Sequence, residues 1–162
     1  MNKTFIALGI AISTFCFAQS KAPSKLPHQH GSAQGGSVLM FGDDHIEIKK
    51  SKNPTELEIY FSDKFRNKVS AKDVQLQLAV YHGEHRMEVL ASDIKNSPKE
   101  TSMVVVDLKK QPKGTQLEIK LSRTEDSKKT LPAGYITTTS PQRIVLDKLL
   151  TLTGGGHEEH QM

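Results

Sequence analysis

Val74-Gln75-Leu76-Gln77-Leu78-Ala79-Val80-Tyr81-His82-Gly83-Glu84-His85-Arg86-Met87-Glu88-Val89 is the stretch that decides the fold. Its first half places apolar residues at every second position, which puts them all on one face of a strand. Gly83-Glu84 suits a two-residue hairpin turn with glycine at the first central position. If the chain reverses there, His82 faces His85, Val80 faces Met87, Leu78 faces Val89 and Leu76 faces Ala91. A slip of one residue would send half of these side chains to the wrong face, so the register is self-consistent. It also carries His82 and His85 past the apolar end of that face, as cross-strand neighbours with Cβ atoms about 5 Å apart.

The same period of two recurs outward from the hairpin. Leu57, Ile59 and Phe61 alternate with polar residues, as do Val104, Val106 and Leu108, and then Leu117, Ile119 and Leu121. Shorter runs lie at Val38 to Phe41, His45 to Ile48, Tyr135 to Thr138 and Arg143 to Leu146. About nine short strands separated by Gly, Pro, Asn and Asp predict an all-β, antiparallel sandwich. No stretch shows an apolar stripe of three helical turns; Ala71-Lys72-Asp73 and Asp147 to Leu150 are each long enough for a single turn. At Gly42-Asp43-Asp44 two turns fit. A two-residue loop sets Met40 opposite His45 and Leu39 opposite Ile46, whereas a three-residue loop sets Phe41 opposite His45 and Met40 opposite Ile46. Either way His45 and Glu47 share a face.

The ends differ from this middle. Lys3 precedes an uncharged apolar run from Phe5 to Phe17, followed by Ala18-Gln19-Ser20 and then Lys21, Pro23 and Lys25. That is the pattern of a secretory signal peptide over residues 1–18, with cleavage after Ala18 or after Ser20, the former preferred, and it is too short for a membrane span of about 20 residues. Cys16, the only cysteine, lies inside it. Phe15 precedes it, where a lipoprotein signal wants a small residue, so the thiol is expected to leave with the signal. The mature chain would then have no disulfide and no thiolate ligand. Residues 19–36, with prolines, glycines, His28 and His30, read as a flexible leader; 37–152 form the domain; 153–162, beginning with a glycine run, form a polar tail bearing His157 and His160.

The chain carries 22 basic and 18 acidic residues, and the signal removes only Lys3. The small excess is spread along the chain without aromatic interleaving, which does not describe a nucleic-acid binder. Catalytic patterns fail on spacing. His157-Glu158-Glu159-His160 sets its histidines three apart, not the four of the helical zinc-protease motif, and there is no Gly-x-Ser-x-Gly. Gly31 to Gly36 lacks the Lys-Ser ending of a phosphate loop. The bridging-histidine array of a copper–zinc superoxide dismutase is also missing. No enzyme activity is expected.

All seven histidines fall in four places: His28 with His30, His45, His82 with His85, and His157 with His160. Imidazole is a good ligand for zinc and copper, and without thiolates only His, carboxylate and Met can complete a site. Met40, Met87 and Met162 each lie near a histidine in sequence or pairing. The competing reading is that such histidines are simply solvated on loops and tails, and a lone strand histidine such as His45 is more often a packed residue than a ligand.

His30-Gly31 and Gly35-Gly36-Ser37-Val38-Leu39-Met40-Phe41-Gly42-Asp43-Asp44-His45-Ile46-Glu47-Ile48, followed by Leu57 to Phe61 and Asp63, resemble the opening of small secreted bacterial proteins that accompany heavy-metal handling. Those carry a His-Gly-Gly element, a Gly-Asp turn and a His-x-Glu strand; here Ser32 to Gln34 interrupt the first element. The resemblance covers about the first third of the mature chain. It implies an immunoglobulin-like sandwich and copper or zinc binding. The expectation is therefore a periplasmic or secreted metal-binding or metal-buffering protein. Its candidate ligands are His82, His85, His45, Glu47, His28, His30, His157 and His160, and its expected partners are the metal ion and an envelope metal-transport protein. The alternative is a non-catalytic envelope adaptor that docks a partner through a strand edge and whose histidines are incidental.

Overall fold

The computed structural model describes residues 32–137 and 140–151. Residues 1–18, expected to be a signal peptide, and His28, His30, His157 and His160 lie outside the described residues. Nine strands form: β1 Ser37–Phe41, β2 Asp44–Lys50, β3 Glu56–Asp63, β4 Val74–His82, β5 His85–Glu88, β6 Ile94–Asn96, β7 Met103–Asp107, β8 Gln116–Arg123 and β9 Gln142–Val145. They make two antiparallel sheets, ordered β1-β2-β3-β7-β6 and β5-β4-β8-β9. Two short helices, α1 Glu125–Lys128 and α2 Leu146–Thr151, and two 3-10 turns, at Ala71–Asp73 and Ala91–Asp93, complete the described elements. Among the described residues no helix is long and apolar enough to cross a membrane.

The alternation seen in the sequence is what packs the sheets. Ile46, Ile48, Leu57, Ile59, Phe61, Val104 and Val106 from the first sheet meet Leu78, Val80, Leu117, Ile119 and Leu121 from the second in one continuous core. Each such side chain contributes about 1.5–3 kcal/mol by leaving water, which is what a domain without disulfides must rely on. The hairpin has the expected register, His82 with His85 and Val80 with Met87. Beyond it the Val89 N–H donates to the Leu78 carbonyl at 2.9 Å. β5 stops at Glu88, and Ala91 belongs to a 3-10 turn instead of lying opposite Leu76. Gly83 has φ of +61° and Glu84 does not share the positive sign, as a type II′ turn requires. The other turn is the two-residue alternative, with Met40 opposite His45 and Leu39 opposite Ile46.

Two expectations change. A strand is expected at Tyr135 to Thr138; of the residues described there, 135–137, only Thr137 pairs, in a single bridge to Gly42. Asp43 occupies the backbone that a ladder would need. Its N–H donates to the Ile136 carbonyl at 2.7 Å, and its carboxylate accepts the Ile136 N–H at 2.9 Å. The ninth strand is instead β6, which carries one apolar residue, Ile94, and pairs with β7. Three residues with a single apolar side chain give no period to read.

A second link between the sheets is ionic. Asp44 shares the core-facing side of β2 with Ile46 and Ile48, and Arg123 shares that side of β8 with Leu121 and Ile119. Arg123 Nη2 and Nε donate to Asp44 Oδ1 at 2.6 and 2.9 Å, and both residues are buried. The Tyr135 hydroxyl donates to the same oxygen at 2.7 Å.

Two measurements by chemical denaturation check this account. Leu78→Ala should cost about 2–5 kcal/mol and Gln77→Ala, on the exposed face, less than about 0.5 kcal/mol. Asp44→Ala, which strands a buried guanidinium, should cost about 3–5 kcal/mol, against less than about 1 kcal/mol for Lys68→Ala in the exposed Lys68–Glu100 pair.

Candidate functional site

His82 ends β4 and His85 begins β5, so the two imidazoles flank the Gly83-Glu84 turn as the last pair of the ladder. His82 is half-buried and His85 exposed. Thr115, 1% exposed, lies just before β8. Its hydroxyl is 2.7 Å from the Pro112 carbonyl oxygen and 3.1 Å from His82 Nδ1. A hydroxyl has one proton and a carbonyl can only accept, so the Thr115 proton goes to Pro112 and the His82 Nδ1–H donates to Thr115. Neutral His82 then carries its lone pair on Nε2. Fixing one ring nitrogen so that the other can bind a metal is the usual arrangement of ligating histidines.

The surroundings supply one soft donor and tie the start of α2 to the same loop. Met87 lies two residues along β5 from His85, on the same face, and is 47% exposed. Thr115 also accepts the Leu146 N–H through its carbonyl at 2.9 Å, and Gly114 N–H donates to the Asp147 carboxylate at 2.9 Å. The start of α2 is thereby fixed beside the residue that holds His82. Among the described residues no group of three or more His, Cys, Asp or Glu is placed to hold one ion.

His45 and Glu47 share a face, as their spacing requires, and it is the outer face of the five-stranded sheet, away from His82 and His85. Both are nonetheless buried. His45 Nδ1 is 3.0 Å from the Asp63 carbonyl oxygen, so that nitrogen is the protonated donor. The Glu47 carboxylate accepts the Ser32 hydroxyl at 2.5 Å and the N–H groups of Ala33, Gln34 and Gly36 at 2.8, 2.7 and 2.8 Å. Burial by itself would raise its pKa. The bonds from Ser32, Gly36, Ala33 and Gln34 favour the charged form more strongly and hold it below the usual carboxylate range. The last residues of the leader, 32–36, are therefore strapped to the domain. Gly36 is needed there because a Cβ would run into the Ile48 carbonyl.

The four-stranded sheet also carries a polar cluster on its outer face that alternation alone does not announce. Glu118 accepts from Arg143 Nε at 3.1 Å, Tyr81 Oη at 3.1 Å and Arg86 Nε at 3.3 Å, and the Arg143 guanidinium stacks 3.7 Å from the Tyr81 ring centre. Tyr81, Glu118 and Arg143 are matched through the β4–β8 and β8–β9 ladders, information that exists only once the strand order is known. Asp44 and Arg123, by contrast, stand at core-facing positions of their strands, a charge at an apolar phase of the alternation that the sequence reading passed over. Comparison of the chain with protein-family models, characterised proteins and solved structures gives no significant match.

Glu47 tests the strap. Because its folded pKa is lowered, its contribution is full above the ordinary value of 4.5 and fades as pH falls through the lowered one. Glu47→Gln should lower the hydrogen-exchange protection factors of Ala33, Gln34 and Gly36 at pH 7 and abolish the loss of protection expected in the parent as pH falls through the lowered pKa. Unchanged exchange at these three amides would show that the carboxylate does not hold the leader.

Proposed function

We propose that this chain is an exported protein that binds and buffers copper or zinc, with His82 and His85 as the metal-capturing pair of its folded domain. The observation that carries the reading is the tethered imidazole: His82 is oriented by Thr115 with its second nitrogen left basic, directly opposite His85. Two imidazoles suit Cu(I), Cu(II) and Zn(II), and Met87 beside them adds a thioether that favours Cu(I). Structural zinc sites close four protein ligands around the ion. A pair fills half of that sphere and leaves positions for exchange, which is what a protein that takes up and passes on an ion needs.

Export is supported by the Lys3, Phe5–Phe17, Ala18 pattern. Glu47 and His45 serve this reading as structural groups, since the carboxylate is committed to the strap and His45, 2% exposed, lies on the outer face of the other sheet, away from the pair. His28, His30, His157 and His160 remain as additional ligands at the two ends, suited to initial capture. An envelope metal-transport protein is the partner that such exchange implies.

Titration of the mature chain with Zn(II), Cu(II) and Cu(I), with competing chelators, tests the proposal. His82→Ala with His85→Ala should remove the site on the domain, while deletion of 154–162 should lower stoichiometry or capture rate and leave that site. Thr115→Val, which keeps the shape and frees His82, should weaken metal affinity about tenfold or more with the fold intact. Binding abolished by the deletion and untouched by the double substitution would move the chemistry to the tail. Absence of binding in the parent would favour the envelope-adaptor reading.

A further inference from the structure

We infer that the His82–His85 pair is completed by a second copy of this chain, so that one Zn(II) ion is held by four imidazoles across a twofold axis. The inference rests on the metal-binding reading and adds to it the source of the missing ligands. A four-coordinate ion needs two donors beyond this pair. Among the described residues no third His, Asp or Glu joins it. Doubling by a twofold axis supplies the same two donors again, because a symmetric interface brings a patch against its own copy.

The position of the pair suits that arrangement. β5 is an edge strand, pairs with β4 alone among the described residues, and has all four of its side chains exposed. In an antiparallel ladder alternate residues direct their backbone groups away from the partner strand. His85 and Met87 bond inward to β4, so Arg86 and Glu88 turn their N–H and C=O toward the open edge. Such an edge accepts a second chain. Beside it, Met87 is 47% and Leu90 62% exposed, apolar surface that a second copy would cover.

Charge favours the same contact. Arg86 is already neutralised by Glu88 at 2.8 Å and Glu118 at 3.3 Å, so two copies do not meet as like charges there. Glu84, exposed in the turn between the histidines, brings one negative charge per chain, and two such charges match the two positive charges of the ion.

The test is the molar mass and metal content of the mature chain by light scattering on a sizing column, with Zn(II) or with a chelator. A parallel His28→Ala/His30→Ala/His157→Ala/His160→Ala variant removes the ligands at both ends. Zinc should double the mass, the chelator should reverse it, and this variant should bind one ion per two chains. His85→Ala, a change at an exposed position, should stay at the monomer mass in zinc while its circular dichroism matches the parent. One ion per monomeric chain, lost in His82→Ala/His85→Ala, would overturn the bridged dimer and leave the metal-binding reading standing. Zinc binding unaffected by that double substitution, or absent altogether, would overturn both.

Discussion

Asp44 and Arg123 meet between the two sheets, where neither charge has water to turn to. Taking each out of water costs several kcal/mol, and the cost is offset only because the geometry is good. Two guanidinium nitrogens and the Tyr135 hydroxyl converge on one carboxylate oxygen, and a third nitrogen, Arg123 Nη1, reaches the Ser127 hydroxyl at 3.4 Å. Desolvation lowers the pKa of Arg123, but Asp44 beside it more than compensates, so the guanidinium stays charged. Burial and the same carboxylate push Tyr135 upward, keeping the phenol proton in place as a donor. An arrangement of this kind contributes little net stability, but separating the two partners would leave a buried charge alone.

The rest of the molecule inherits that alignment. Arg123 ends β8, and the β4–β8 ladder runs from Val74 opposite Arg123 to Tyr81 opposite Gln116. Fixing one end of β8 therefore fixes where the other end falls, and it falls with Thr115 next to His82. Asp44 likewise ends the Gly42-Asp43 turn, and Asp43 ties down the segment at Tyr135 and Ile136 and accepts Lys64 at 2.7 Å. Through these contacts a polar cluster at one end of the sandwich sets the geometry of the histidine pair at the other.

Much of this was legible in the sequence, for physical reasons that differ by element. The hairpin could be registered because only one pairing buries Leu78, Val80 and Val89 together. The sandwich followed from period two in five runs, and the turns at Ala71–Asp73 and in α2 from the two places, Ala71-Lys72-Asp73 and Asp147 to Leu150, with room for a helical turn. β6 was hidden by its brevity, and Tyr135 to Ile136 looked like a strand because alternation cannot show that Asp43 claims its backbone. At the candidate site, the facing of His82 and His85 came directly from the register. That Thr115 orients His82 did not, since it depends on a contact 33 residues away in sequence. Glu47 drew attention as a carboxylate beside a strand histidine. Its actual work, gathering three N–H groups and a hydroxyl from the leader, required knowing that the leader folds back over β2.

The central claim is that a metal ion binds His82 and His85 through the nitrogen that Thr115 leaves basic. Nitrogen-15 NMR of the imidazole rings, recorded while zinc is added to the mature chain, tests it most directly. The account predicts that metal-free His82 carries its proton on Nδ1, that zinc shifts Nε2 of His82 together with a ring nitrogen of His85, and that His45 keeps its Nδ1–H bond to Asp63. Zinc-dependent shifts confined to other histidines, with the His82 and His85 signals unmoved, would contradict it.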